Sequence, residues 1–175
     1  MNTVTHALMP VILANLADGK RRAFSRGALI AVGVSGALPD LLSPHLSLEA
    51  RMFSWSHGLP AWVGFGVLIA LGCGIKRWPG KWGLACWLAY GLHLFCDGIS
   101  GGINWAYPLG QRPWGDYWFP PVWWVPLDIA LILYCYFRFR VAPSWKKRRN
   151  RGGSALTARS GNPSEEAESL ADESP

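Results

Sequence analysis

Apolar residues in this chain come in long blocks separated by short polar breaks. The blocks cover residues 4–17, 27–42, 57–75, 82–97 and 122–139. Apolar runs of this kind, with few charges, mark membrane-spanning helices rather than a soluble core. The pattern therefore predicts an all-α, polytopic membrane bundle of about five apolar segments. The first block is shorter than the roughly 20 residues a straight crossing needs, so a tilted or partly inserted helix is expected, with a kink at Pro10. The second block is rich in Gly, Ala and Ser, which lets helices approach closely in lipid. Trp78-Pro79-Gly80 predicts a tight hairpin between the third and fourth blocks. Residues 43–56, with His45, Glu49 and Arg51, read as a mixed polar linker, and residues 98–121 as a long aromatic, Gly- and Pro-rich loop. The expected organisation is a membrane-embedded domain over 1–142. A basic run and a disordered acidic tail follow over 143–175, where large apolar residues are scarce.

Composition sharpens this picture in three places. The length of 175 residues suits one domain or one small bundle. The net charge of +6 sits in clusters between the apolar blocks, at Lys20–Arg26, Lys76–Lys81 and Arg138–Arg151. That distribution fits the positive-inside rule better than a nucleic-acid surface, so no nucleic-acid partner is expected. The four cysteines, Cys73, Cys86, Cys96 and Cys135, lie far apart in apolar stretches and read as small buried hydrophobes. The first block holds His6, has no basic leader and offers no small-residue cleavage site, so no cleavable signal peptide is expected.

Placing all three basic clusters in the cytoplasm yields one topology. The N-terminus lies outside, the blocks cross in, out, in, out and in, and the tail is cytoplasmic. In a bacterial inner membrane the outside is the periplasm. The assignment uses only Lys and Arg, yet it gathers His6, Asp40, His57, His93 and Asp97 at the outer membrane face. His93 and Asp97 are four residues apart, on one face of a helix. An imidazole and a carboxylate so placed hold a metal ion, act as an acid and a base, or simply tie helix to loop by a hydrogen bond. The full set suits zinc or another first-row ion that takes imidazole and carboxylate ligands. His6, His57, His93 and Asp97 are the candidate metal ligands. Asp40 is the candidate catalytic residue, as a further ligand or as the base that orients a water. Asp128 lies about a turn and a half into the last block; it is expected to support the site or to pair with an arginine. His45, in the linker, reads as solvated. Trp105, Trp114, Trp118, Trp123 and Trp124 crowd the same level, as an interfacial belt does.

These residues also carry a family likeness. Thr5-His6, Leu38-Pro39-Asp40, Ser56-His57, and a G-x-H-x-x-x-D over Gly91–Asp97 with Gly101-Gly102 and Trp105 to Pro108 behind it occur in this order. Over about residues 1–135 the set resembles the YdjM-like family of inner-membrane-associated proteins regarded as metal-dependent hydrolases. The resemblance implies a helical membrane protein with a metal-assisted hydrolytic site on His6, Asp40, His57, His93 and Asp97. It also implies a distant similarity to zinc-dependent phospholipases C, and hence ester, phosphoester or lipid substrates. Two family positions differ: Leu42 stands where a second acid is common, and Met52-Phe53-Ser54 stands where His-Arg-Gly is common. The differences favour a one-metal site, or an inactive relative, over a two-metal site. The competing expectation is a non-enzymatic membrane protein whose polar cluster is structural and whose basic run and tail dock a cytoplasmic partner. A transporter is the third reading, and clustering at one face rather than the midplane argues against it.

Overall fold

The computed structural model describes residues 2–19, 24–44, 47–76 and 78–144. His45, the basic residues Lys20–Arg22, the run from Lys146 and the tail lie outside the described residues. Every apolar block forms a helix. These are α1 (Thr3–Asp18), α2 (Arg26–Leu42), α4 (Leu59–Lys76), α5 (Gly80–Ile99) and α6 (Trp124–Tyr136). Helix α2 starts where Ser25 caps it, its side chain accepting the Ala28 N–H at 3.1 Å. Pro10 lies inside a continuous α1.

The 43–56 stretch departs from the polar linker expected. Part of it forms a short helix, α3 (Leu48–Met52), capped by Ser47, and a 3₁₀ turn over Trp55–His57. Arg51, Ser54 and Ser56 are buried there. For Arg51 and Ser56 the reason is long-range, since they meet Asp97 on α5 and the Pro39 carbonyl on α2, whereas Ser54 bonds Ser56 and His57 within the turn. The 98–121 loop holds a small antiparallel hairpin, β1 (Ile103–Asn104) and β2 (Pro113–Trp114), with Ile103 opposite Trp114. Gly101 and Gly102, at φ of +128° and +88°, make the turn between α5 and β1 that a Cβ would strain.

Two compact units are present, residues 1–133 and 134–175. In the first, α1 packs on α2, α2 on α5, and α5 on α4. The core between them is apolar: Val32, Cys86 and Ala89 form one cluster, and Tyr90, Leu94 and Ile103 another. Helix α2 comes close to α1 because Gly33 and Gly36 face the backbone of Ala7 and His6. Helices α4 and α5 are clasped by Trp62 and Trp87. Their rings stack at 4.5 Å, and each indole N–H donates to the other residue's carbonyl, at 3.0 and 3.3 Å. In the second unit the described residues 134–144 end the last helix with a π turn over Phe137–Val141.

The outer surface is apolar. Leu13, Ile30, Val67, Leu68, Leu84 and Ile129 are each at least half exposed. Among the described residues one helix, Pro121–Ser144, is long and apolar enough to cross a membrane, and Leu59–Ile75 is a shorter apolar helix.

Candidate metal centre

Helix ends bring the candidate residues together. Asp40 comes from the last turn of α2, His57 from the 3₁₀ turn before α4, and His93 and Asp97 from the last turns of α5. One ligand atom from each lies within 4.8 Å of every other. The Nε2 atoms of His57 and His93 are 3.2 Å apart. Asp97 Oδ2 is 3.2 Å from His93 Nε2 and 3.4 Å from His57 Nε2, and Asp40 Oδ1 is 3.3 Å from His57 Nε2.

The hydrogen bonds behind the rings decide what these nitrogens are. His93 Nδ1 donates to the Gly36 carbonyl at 2.7 Å. His57 Nδ1 faces the Ser56 and Ser54 hydroxyls at 3.1 and 2.9 Å. Ser56 donates onward to the Pro39 carbonyl at 2.8 Å, so it accepts from the His57 ring. The His93 Nδ1 thus carries its proton, and its Nε2 presents a lone pair toward the cluster. The Nε2 atoms of both rings and two carboxylates converge within 4.8 Å, an arrangement that a cation in their midst would stabilise. The donor set is thus two imidazoles and two carboxylates, with each ring oriented from behind by a carbonyl or hydroxyl; it fits a divalent ion such as zinc.

His6 reaches the same place without joining that set. Its Nε2 bonds Asp97 Oδ1 at 3.1 Å, and its ring lies on His93 at 3.8 Å between centroids. Its Nδ1 is buried and has no hydrogen-bond partner. Among the described residues Asp128 meets no arginine. It accepts from Asn2 and from Thr5, and so ties the start of α1, with His6 on it, to α6.

Two contributors escaped the sequence reading. Thr3 donates to Asp40 Oδ2 at 2.6 Å and fixes that carboxylate. Arg51 is 1 % exposed and bonds Asp97 Oδ1 at 2.8 Å. Its other terminal nitrogen reaches the carbonyls of Asp97 and Ser100 at 3.2 and 3.3 Å. Arg51 and His6 hold one oxygen of Asp97, which turns the other toward the two rings. The Thr5-His6 pair was a partial signal for Thr3 and Thr5, since hydroxyls flank the histidine. Arg51, in a stretch read only as a mixed polar linker, carried none.

Helices with apolar exteriors, converging at one end on a buried His/Asp cluster, define a membrane protein with a candidate metal centre. The chain belongs to the family of YdjM inner membrane proteins, whose family model matches residues 1–158. No curated protein and no solved structure matches it.

Proposed function

We propose that the protein is a membrane-bound, metal-dependent hydrolase acting on an ester or phosphoester at the outer face of the inner membrane. The observation that carries this is the convergence of the His57 and His93 Nε2 atoms, 3.2 Å apart, with carboxylate oxygens of Asp40 and Asp97. Membership in an inner membrane family and the apolar exterior support a multi-pass arrangement, with the 1–142 domain embedded and the tail in the cytoplasm.

His57, His93 and Asp97 are the proposed ligands, with His6 close enough to join them or to hold Asp97. A divalent ion bound there would supply Lewis acidity and would make hydroxide available near neutral pH. Asp40 is the group that would accept a proton from an attacking water. Its side chain is 14 % exposed, against 0–1 % for His57, His93 and Asp97, so it alone of the four reaches the open side. Thr3 keeps the carboxylate aimed while it does so. The 98–121 loop is tied to the site through Gly102, whose N–H donates to the Asp97 carbonyl at 3.1 Å, and is the segment suited to cover the substrate.

Elemental analysis tests this reading. Protein purified in mild detergent without a metal-binding tag is expected to carry about one divalent ion per chain, zinc foremost. The His93→Ala and Asp97→Ala variants are each expected to lose the ion and the hydrolysis of ester and phosphoester probes. Full metal content in either variant overturns that ligand assignment.

A further inference from the structure

Between α1 and α5 lies an open-sided cavity of about 590 Å³ that extends along α5 from Ala85 to Phe95. Pro10, Leu13 and Ala17 of α1 and Leu92 and Phe95 of α5 line it, and Trp105 lies at its upper end. No charged side chain lines it. We infer that this cavity seats one acyl chain of a membrane amphiphile, whose polar head then lies at the His/Asp cluster. The inference rests on the hydrolase reading and names its substrate class: a lipid ester or phosphoester, entered from the bilayer.

Three observations point to a hydrocarbon chain rather than to a protein partner. First, the dimensions fit. At 1.5 Å per residue the lining extends about 10 Å along α1 and about 15 Å along α5. The longer figure is half of the ~30 Å hydrocarbon core, the depth of one leaflet. Second, the chain belongs to an inner membrane family, and the residues around the cavity mouth, such as Leu13, Leu88 and Phe95, are half exposed and apolar. In a bilayer the solvent in contact with such a mouth is acyl chain.

Third, one end of the cavity lies about a turn from His6, which bonds Asp97 of the cluster. His6, Pro10, Leu13 and Ala17 form one stripe on α1, and His6 lies one turn beyond the last lining residue. His6 carries a buried Nδ1 with no hydrogen-bond partner, at the end where an ester carbonyl or phosphoryl oxygen arrives. Helix α5 runs the other way, so Phe95, two residues from Asp97, lies at the same end. Trp105 accepts the Leu59 N–H at 2.8 Å, two residues from His57, and closes the top.

Photolabelling of the full chain tests this. The probe is phosphatidylglycerol with a diazirine midway along one acyl chain, in phosphatidylethanolamine–phosphatidylglycerol vesicles. Residues 10–17 and 88–95 are expected to label well above Ile129, Ile132 and Leu133 of α6, which are exposed and apolar but do not line this cavity. Ala14→Phe fills the cavity and is expected to lower that labelling about tenfold, while α6 labelling and metal content hold. Should Ala14→Phe fail to fold, Leu13→Trp, at a position 50 % exposed, serves in its place. Labelling of the two stretches no stronger than α6, or unchanged in the filled variants, overturns the inference while leaving the metal centre intact. A labelled cavity in a chain that takes up no metal overturns the hydrolase reading and the substrate assignment with it.

Discussion

At the scale of single residues, Arg51 is the most consequential side chain outside the candidate ligands. A buried guanidinium beside Asp97 offsets part of the repulsion between Asp97 and Asp40, and it holds the Asp97 backbone as well as its carboxylate. Removing it strands a buried carboxylate. Arg51→Met is therefore expected to destabilise the protein by about 3–5 kcal/mol, read as a lowered Tm in detergent. Metal affinity is expected to fall about 10- to 100-fold with it, because Asp97 loses the group that turns it. Arg51→Lys keeps the charge but loses the two-pronged hold and is expected to fall between. A Met variant with wild-type Tm and metal content contradicts this account of Arg51. His57 and His93 show the same logic from the other side: their function as ligands depends on the Ser56 hydroxyl and the Gly36 carbonyl holding the Nδ1 protons. Ser56→Ala is expected to weaken metal binding about tenfold without abolishing it, checked by titration of the metal-stripped protein.

At the scale of elements, the packing of α1 on α2 decides where His6 and His93 go. Gly36 faces the His6 carbonyl and the Pro10 ring on one side, and its own carbonyl accepts from His93 on the other. Pro10 has no N–H to give, so the His6 carbonyl loses its usual helical donor just where α2 comes closest. A methyl at position 36 has no room. Gly36→Ala is expected to cost about 1–3 kcal/mol and to displace both histidines, lowering metal content with stability. Gly64 and Gly74 have nothing within 4 Å of an added Cβ. Alanine there is expected to leave Tm and metal content unchanged, which separates the close approach at Gly36 from a general effect of glycine replacement. The N-terminal turn of α1 depends in the same way on Asp128. Asp128→Ala is expected to speed amide exchange at residues 3–7 while α5 stays protected.

At the scale of the whole molecule, the apolar exterior and the polar cluster together describe a protein turned inside out relative to a soluble domain. The candidate site residues all lie at or before Asp128. Deleting residues 145–175 is expected to leave metal content and hydrolysis intact. Loss of the cellular role with metal content preserved would instead favour a protein that docks a cytoplasmic partner through its tail. A reporter fused after Ser144 is expected to be active only in its cytoplasmic form, since the Lys/Arg clusters orient the helices. A periplasmic signal there reverses the assigned sidedness and puts the His/Asp cluster on the inner face.

Much of this was legible along the chain because hydrophobic patterning is a local property. Each apolar block became a helix, and the basic breaks between blocks led to the expectation that His6, Asp40, His57, His93 and Asp97 share one membrane face; of these, Asp40, His57, His93 and Asp97 bring ligand atoms within 4.8 Å of one another. The i, i+4 spacing of His93 and Asp97 put both on one face of α5. What the tertiary structure decided is everything that depends on a distant partner. Arg51 was read only as part of a mixed polar linker; its burial follows from Asp97, 46 positions later. Asp128 was expected to support the site or to pair with an arginine, and its partners proved to be Asn2 and Thr5, more than 120 positions earlier. Which ring nitrogen each histidine offers was likewise settled only by the carbonyl and hydroxyls behind the rings. Local sequence encodes where a segment is apolar and how it coils; which ligand atoms face one another is set by how the coiled segments pack.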